Sequence, residues 1–228
     1  MIDAQRHLPV FDPDAFGNRR VDVIGAGATG SKVVLSLAKL GIQTIRVWDF
    51  DNVQAHNVSN QAFGNDDVGK TKLNALSEMV LRQTGLKLDT RAERVDGSQE
   101  LGPVVFLLTD TMASRKEIWE RGIRFKPRVK LMVETRLGAE SWYIYTINPC
   151  ALPEVKGWES TLCDDDKVER SACGSKISVG PSAGILAEKA IWQLMRWFAI
   201  ENGHEDQLDH EQMECLRSPA IYLRRFED

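Results

Sequence analysis

Hydrophobic positions along this chain switch between two spacings. "RRVDVIGAG" reads as a short buried strand running into a glycine turn. "ATGSKVVLSLAKLG" then places Val33, Val34, Leu37 and Leu40 at helical spacing and stops at Gly41, a fitting C-terminal cap. "QTIRVWDF" predicts a second strand that ends in acid. "GKTKLNALSEMVLRQTG" predicts a helix with Leu73, Leu76, Val80 and Leu81 on one face and Gly85 at its end. "LKLDTRAERV" predicts a third strand. "PVVFLLTD" predicts a fourth, nearly all apolar, as a parallel strand covered on both faces must be. "TMASRKEIWERGIR" predicts a helix starting at that strand's end.

This order implies an α/β fold: a Rossmann-like, doubly wound, mostly parallel sheet. "VKLMVETRLG" and "ESWYIYTINP", joined by Gly138 and Ala139, predict antiparallel C-terminal strands that continue the sheet. Residues 150–175 are polar and without periodicity, which predicts a long crossover loop. "KISVGPSAGILAEKAIWQLMRWFAI" predicts a long helix. It is apolar around most of its circumference from Ile185 to Ile200, so it belongs in the core or at a subunit interface. The acidic tail ends in "PAIYLRRFE", a candidate edge strand.

A length of 228 residues fits one large α/β domain spanning 1–228. Lys and Arg number 29 against 33 Asp and Glu, a net charge of -4, which gives no footprint for nucleic acid or an anionic membrane. The N-terminus lacks the apolar core of a signal peptide and no apolar run is long enough to span a bilayer, so the cytoplasm is the expected location. Cys150, Cys163, Cys173 and Cys215 form no C-x-x-C pair, which argues against structural zinc.

Gly25, Gly27 and Gly30 form G-x-G-x-x-G between a strand and a helix, the context that phosphate binding requires. Gly25 allows the turn, Gly27 lets phosphate oxygens approach the backbone, and Gly30 allows close packing of helix on strand. The alternative is a glycine turn kept for packing alone. Asp49 ends the second strand, placed for ribose hydroxyls or for a simple strand-end cap. Up to this point NAD and ATP fit equally.

"HNVSNQAFGNDDVGKTK" separates them. It carries the neutral hydrogen-bonding groups Asn57 and Gln61. Asp66 or Asp67 is a candidate N-cap there, which puts Lys70 and Lys72 in the first helical turns. Cations there oppose the helix dipole unless an anion offsets them. A solvated lysine pair is the plain alternative. Asp110 lies at the carboxyl end of the fourth strand, placed to hold Mg²⁺ or to cap the next helix.

Taken together, G-A-G-A-T-G at 25–30, D-F-D at 49–51, H-N-V-S-N-Q at 56–61, D-V-G-K-T-K at 67–72 and T-D-T-M-A-S-R at 109–115 resemble the ThiF/MoeB/HesA superfamily, the ubiquitin-activating-enzyme-like adenylyltransferases. The likeness runs from about Arg20 to Trp197. It implies use of ATP and Mg²⁺ to adenylate the C-terminal carboxylate of a small ubiquitin-like or sulfur-carrier protein ending in Gly-Gly. It also implies a homodimer. By position, Asp49 would bind ribose, Asn57 and Lys72 the phosphates, and Asp110 the Mg²⁺; Asp51 and Gln61 complete the nucleotide site. Asn60 stands where the family often has arginine. Arg6 is a loose match to an arginine that some members supply from a partner's N-terminus. Some relatives pass the acyl group to a crossover-loop cysteine. Cys173, flanked by Arg170 and Lys176, suits that role better than Cys163 before its aspartates, although an unreactive thiol is the simpler reading. An NAD-dependent oxidoreductase and a nucleotide-binding scaffold without catalysis are the competing functions.

Overall fold

Alternating strands and amphipathic helices assemble into one eight-stranded sheet. The computed structural model describes residues 2–165, 178–218 and 220–227. Its elements in chain order are α1 (Pro13–Phe16), β1 (Val21–Ile24), α2 (Gly30–Lys39), β2 (Ile45–Trp48), α3 (Lys72–Thr84), β3 (Asp89–Arg91), β4 (Val104–Leu107), α4 (Met112–Ile118), β5 (Leu131–Leu137), β6 (Ser141–Ile147), α5 (Leu152–Glu159), α6 (Gly180–Glu201), β7 (Glu211–Cys215) and β8 (Ala220–Arg224).

The sheet order is β3-β2-β1-β4-β5-β6-β7-β8. Pairing is parallel from β3 to β5 and antiparallel from β5 to β8. The chain winds outward from β1 to β3, then returns to place β4 on β1's other side. This reversal opens a crevice at the carboxyl ends of β1 and β4.

Alternation along each strand divides the core into two layers. Val21, Val23, Val104, Phe106 and Val133 pack beneath α2, α3 and α6 with Val33, Leu37, Leu76 and Leu194. Ile24, Val105, Leu107 and Met132 face α4 and α5, where Ile118, Val155 and the tilted pair Trp119 and Trp158 cover them. The predicted mostly parallel sheet and its antiparallel extension are both present.

Three local expectations need correction. The 150–175 stretch is not all loop, because α5 occupies Leu152–Glu159. It opens with Pro153 in its first turn and buries only Val155 and Trp158. Two turns with two buried residues are too short for a period to show in sequence. β3 is three residues rather than ten; it lies at the sheet edge, where only one neighbour pairs with it. The acidic tail contains β7, whose glutamates conceal the strand; Glu211 is buried on the Tyr145 hydroxyl. β8 is the outer strand, as its sequence suggested.

Candidate functional site

The glycine loop leaves β1 at the crevice and touches the loop after β4. Gly25 has φ +99°, and a Cβ there would lie 2.7 Å from the Leu108 carbonyl oxygen. A Cβ on Gly30 would meet the Gly25 carbonyl oxygen at 1.9 Å. Both glycines are therefore demanded by packing. Gly27 differs: nothing lies within 4 Å of a Cβ built there. Its bare backbone opens onto space that a ligand's oxygens can occupy. The packing and ligand readings of this motif are thus divided among its three glycines.

The Asp49 carboxylate is buried and fixes the loop. One oxygen accepts the Ala26 N–H (2.7 Å) and the other the Asp51 N–H (2.8 Å). It is a strand-end cap, and each oxygen keeps acceptor capacity for a hydroxyl.

The 50–72 segment forms the second wall. A 3₁₀ turn at Ala55–Asn57 buries Asn57, whose Oδ1 accepts the Gln54 N–H at 2.9 Å. Gln61 Oε1 and Asn60 Oδ1 are buried without a hydrogen-bond partner. Such orphaned groups are uncommon, and turning either amide presents its NH₂ instead. A bridge between Asn52 and Thr71 closes the segment on itself. It brings the Lys72 ammonium, whose side chain is 9% exposed, to 2.7 Å from Asp51 Oδ2. The Lys72 N–H also donates to the Asp51 carbonyl at 2.9 Å.

Two expectations change here. The N-cap of α3 is Thr71, whose hydroxyl oxygen accepts the Asn74 N–H at 3.2 Å, and not Asp66 or Asp67. Lys70 consequently lies outside the helix and pairs with Asp67 (3.2 Å) and Glu78 (2.7 Å), whereas Lys72 pairs with Asp51. Asp110 is exposed beyond β4 and does not cap α4. Thr111 Oγ1 accepts the Ser114 N–H (3.2 Å), while Asp165 accepts those of Met112 (2.8 Å) and Ala113 (3.0 Å). Asp165 thereby ties the crossover segment to the first turn of α4, a contact across 53 residues that no local pattern carries.

Arg115 is buried behind Asp110. It pairs with Glu134 at 3.0 Å and donates to the carbonyls of Thr109 and Thr135, bracing the turn that presents Asp110. Burial pulls its pKa down and the Glu134 carboxylate opposes that pull. Lys32, which sequence reasoning passed over, donates to the Asn60 carbonyl (2.5 Å) and the Ala28 carbonyl (3.3 Å). Its signal was available: it is a cation in the first turn of a helix, the same anomaly noted for Lys72.

Among the described residues no three His, Cys, Asp or Glu side chains cluster as metal ligands. The Asp110 carboxylate fits Mg²⁺ that arrives with phosphates and keeps several waters, rather than a resident metal. Cys150, Cys163 and Cys215 are free thiols, and Arg6 is exposed. Cys173 lies outside the described residues.

A family model described as "ThiF family" matches residues 5–213. The chain belongs to the ThiF family. Among its relatives, it is 38% identical to the probable adenylyltransferase/sulfurtransferase MoeZ of Mycobacterium tuberculosis over 82 residues, 33% of this chain and 21% of MoeZ. It is 25% identical to the Escherichia coli sulfur carrier protein ThiS adenylyltransferase over 175 residues, 73% of this chain and 67% of that protein. The E. coli MccB crystal structure shares the fold, with a TM-score of 0.74, 15% identity, and coverage of 94% of this chain and 64% of MccB. The ThiF-family chain thus spans about a fifth of MoeZ's length. No described helix of this ThiF-family protein is long and apolar enough to cross a membrane.

Proposed function

We propose that this ThiF-family chain is an ATP-dependent adenylyltransferase that activates the C-terminal carboxylate of a small ubiquitin-like or sulfur-carrier protein. The observation that carries the reading is the hydrogen-bonded chain that joins the Lys72 ammonium through Asp51 and Asp49 to the glycine loop. The open backbone at Gly27 and Asp110, which follows the neighbouring strand β4, support it. An NAD site would use the glycine loop and Asp49 but has no use for the other groups.

In this reading Asp49 accepts from the ribose hydroxyls, with Asp51 next to it. Asn57, Gln61 and the glycine-loop N–H groups orient the phosphates. A carboxylate oxygen of the carrier attacks the α-phosphorus as the bond to the pyrophosphate oxygen breaks. Pyrophosphate leaves with that electron pair, and the acyl-adenylate remains. Lys72 stabilises the charge gathering on the α-phosphate, so it must exchange Asp51 for phosphate when substrate binds. Asp110 is the carboxylate that would hold Mg²⁺, which supplies charge neutralisation along the phosphates when bound. If an acyl transfer follows, Cys173 is the candidate acceptor, and its attack would expel AMP.

The reading extends to a homodimer, which Trp192 (52% exposed) and Ile185 (42% exposed) on α6 support beside a groove of about 490 Å³ between α2 and α6. Sedimentation showing a monomer at micromolar concentration would sink that part.

The activity is tested by exchange of labelled pyrophosphate into ATP, with and without small β-grasp proteins ending in Gly-Gly. Lys72→Ala and Asp110→Ala should each lose about 10²- to 10³-fold in exchange. Undiminished exchange in either variant refutes the role given to that residue. Stabilisation against heat by NADH but not by Mg·ATP would favour an oxidoreductase.

A further inference from the structure

Lys32 has an unusual electrostatic position. It is in the first turn of α2, where the helix dipole disfavours a cation. Its ammonium has three donors, and its partners among the described residues are the carbonyl oxygens of Asn60 and Ala28. It forms no ion pair with a described carboxylate. Burial pulls its pKa down, and no neighbouring acid offsets that pull. A half-buried cation without a counter-ion is stabilised when an anion arrives to meet it.

Its two partners indicate where that anion would come from. Ala28 belongs to the glycine loop, and Asn60 to the opposing 56–61 wall. The ammonium therefore sits at the seam between the two phosphate-side segments, touching the backbone of the residue whose expected positive side chain is missing. We propose that Lys32 supplies the positive charge for the outer phosphates of the nucleotide, in place of an arginine at position 60. This rests on the ATP reading above. It assigns to the chain a phosphate-binding group that lies outside the motifs quoted from its sequence.

The test is calorimetric titration of Mg·ATP and of AMP into the unsubstituted protein, Lys32→Met, Lys32→Arg and the double variant Lys32→Met with Asn60→Arg. Losing hydrogen bonds from one charged donor to phosphate predicts about 10- to 100-fold weaker ATP binding in Lys32→Met. AMP affinity should change little. Lys32→Arg should retain most ATP affinity, and Asn60→Arg should restore it in the Lys32→Met background. Restoration separates a missing charge from damage to the loop. The proposal is overturned if Lys32→Met binds ATP as the unsubstituted chain does, or if it loses ATP and AMP equally. It is also overturned if the substitution shifts only the oligomeric state, which would turn the side chain toward the groove beside α6 that it also borders. An unsubstituted chain that binds no ATP removes the nucleotide reading itself and this inference with it.

Discussion

Alanine at Gly27 and alanine at Gly30 should separate ligand approach from packing within one six-residue motif. The Gly30 Cβ would stand 1.9 Å from the Gly25 carbonyl oxygen and 2.9 Å from its carbon. Side-chain Cβ atoms essentially never come within 3.0 Å of a non-bonded heavy atom, so the turn must move by about an ångström. It cannot move easily, because Gly25 is itself wedged against Leu108 at φ +99°. Overpacking with soft neighbours costs about 1–3 kcal/mol; with a backbone carbonyl as the obstacle, about 3 kcal/mol is a lower bound. For a domain of this size that corresponds to a fall in Tm of about 6–12 °C. Gly27 meets nothing within 4 Å, so Gly27→Ala should leave Tm within about 4 °C, since a Gly→Ala change at a compatible site is worth under about 1 kcal/mol. Its added methyl would instead fill the space proposed for phosphate oxygens. The assay is a thermal melt of both variants with and without Mg·ATP. Gly27→Ala should keep the unliganded Tm and lose the ATP-dependent rise. Gly30→Ala should show the low unliganded Tm. A Gly27 variant that responds to ATP normally, or a Gly30 variant as stable as the parent, would refute the division of labour.

Two further outcomes follow from the ion pairs. Arg115→Met strands the fully buried Glu134 with Arg136 as its remaining cation, and should cost about 3 kcal/mol in chemical denaturation, the low end for breaking a buried pair; a change within experimental error would mean that Arg136 alone suffices. Asp206, paired with Arg196 at 3.0 Å, has its carboxyl held down at about 2 by that guanidinium. A depressed folded-state pKa gives stability that is fully present above the unfolded value and is lost as pH falls through the folded one. The Tm gap between the parent and Asp206→Asn should therefore be constant above about pH 5, narrow from about pH 4 and close as pH falls through about 2. A gap undiminished at pH 2 would show that the pair is not what separates them.

Periodicity was sufficient for the buried strands of the sheet. A buried parallel strand needs apolar side chains on both faces, and Val104–Leu107 or Val21–Ile24 have no other use. The family resemblance was equally legible, because it depends on an ordered set of motifs, and the match over residues 5–213 bears out the family. Local pattern also sufficed for Gly85, whose φ of +75° at the end of α3 is the left-handed cap expected there. It failed where partners are distant in sequence. Glutamates at 211 and 214 do not look like a strand until Tyr145 and Lys189 receive them.

The sequence by itself determined the glycine loop, the order of strands and helices from β1 to β6, and most of the acids and lysines that were candidates for chemistry. Only the tertiary structure decided which partner each candidate meets. Lys70 and Lys72 are two residues apart and chemically alike, yet one pairs with Glu78 on α3 and the other with Asp51 in the loop after β2. Lys32 gained its place from Asn60, 28 residues away, and Asp165 from the first turn of α4, 53 residues away. Spacing along the chain encodes which face of an element a residue occupies. The charge or carbonyl opposite that face comes from another element, and only folding brings the two within the few ångströms at which hydrogen bonds and ion pairs act.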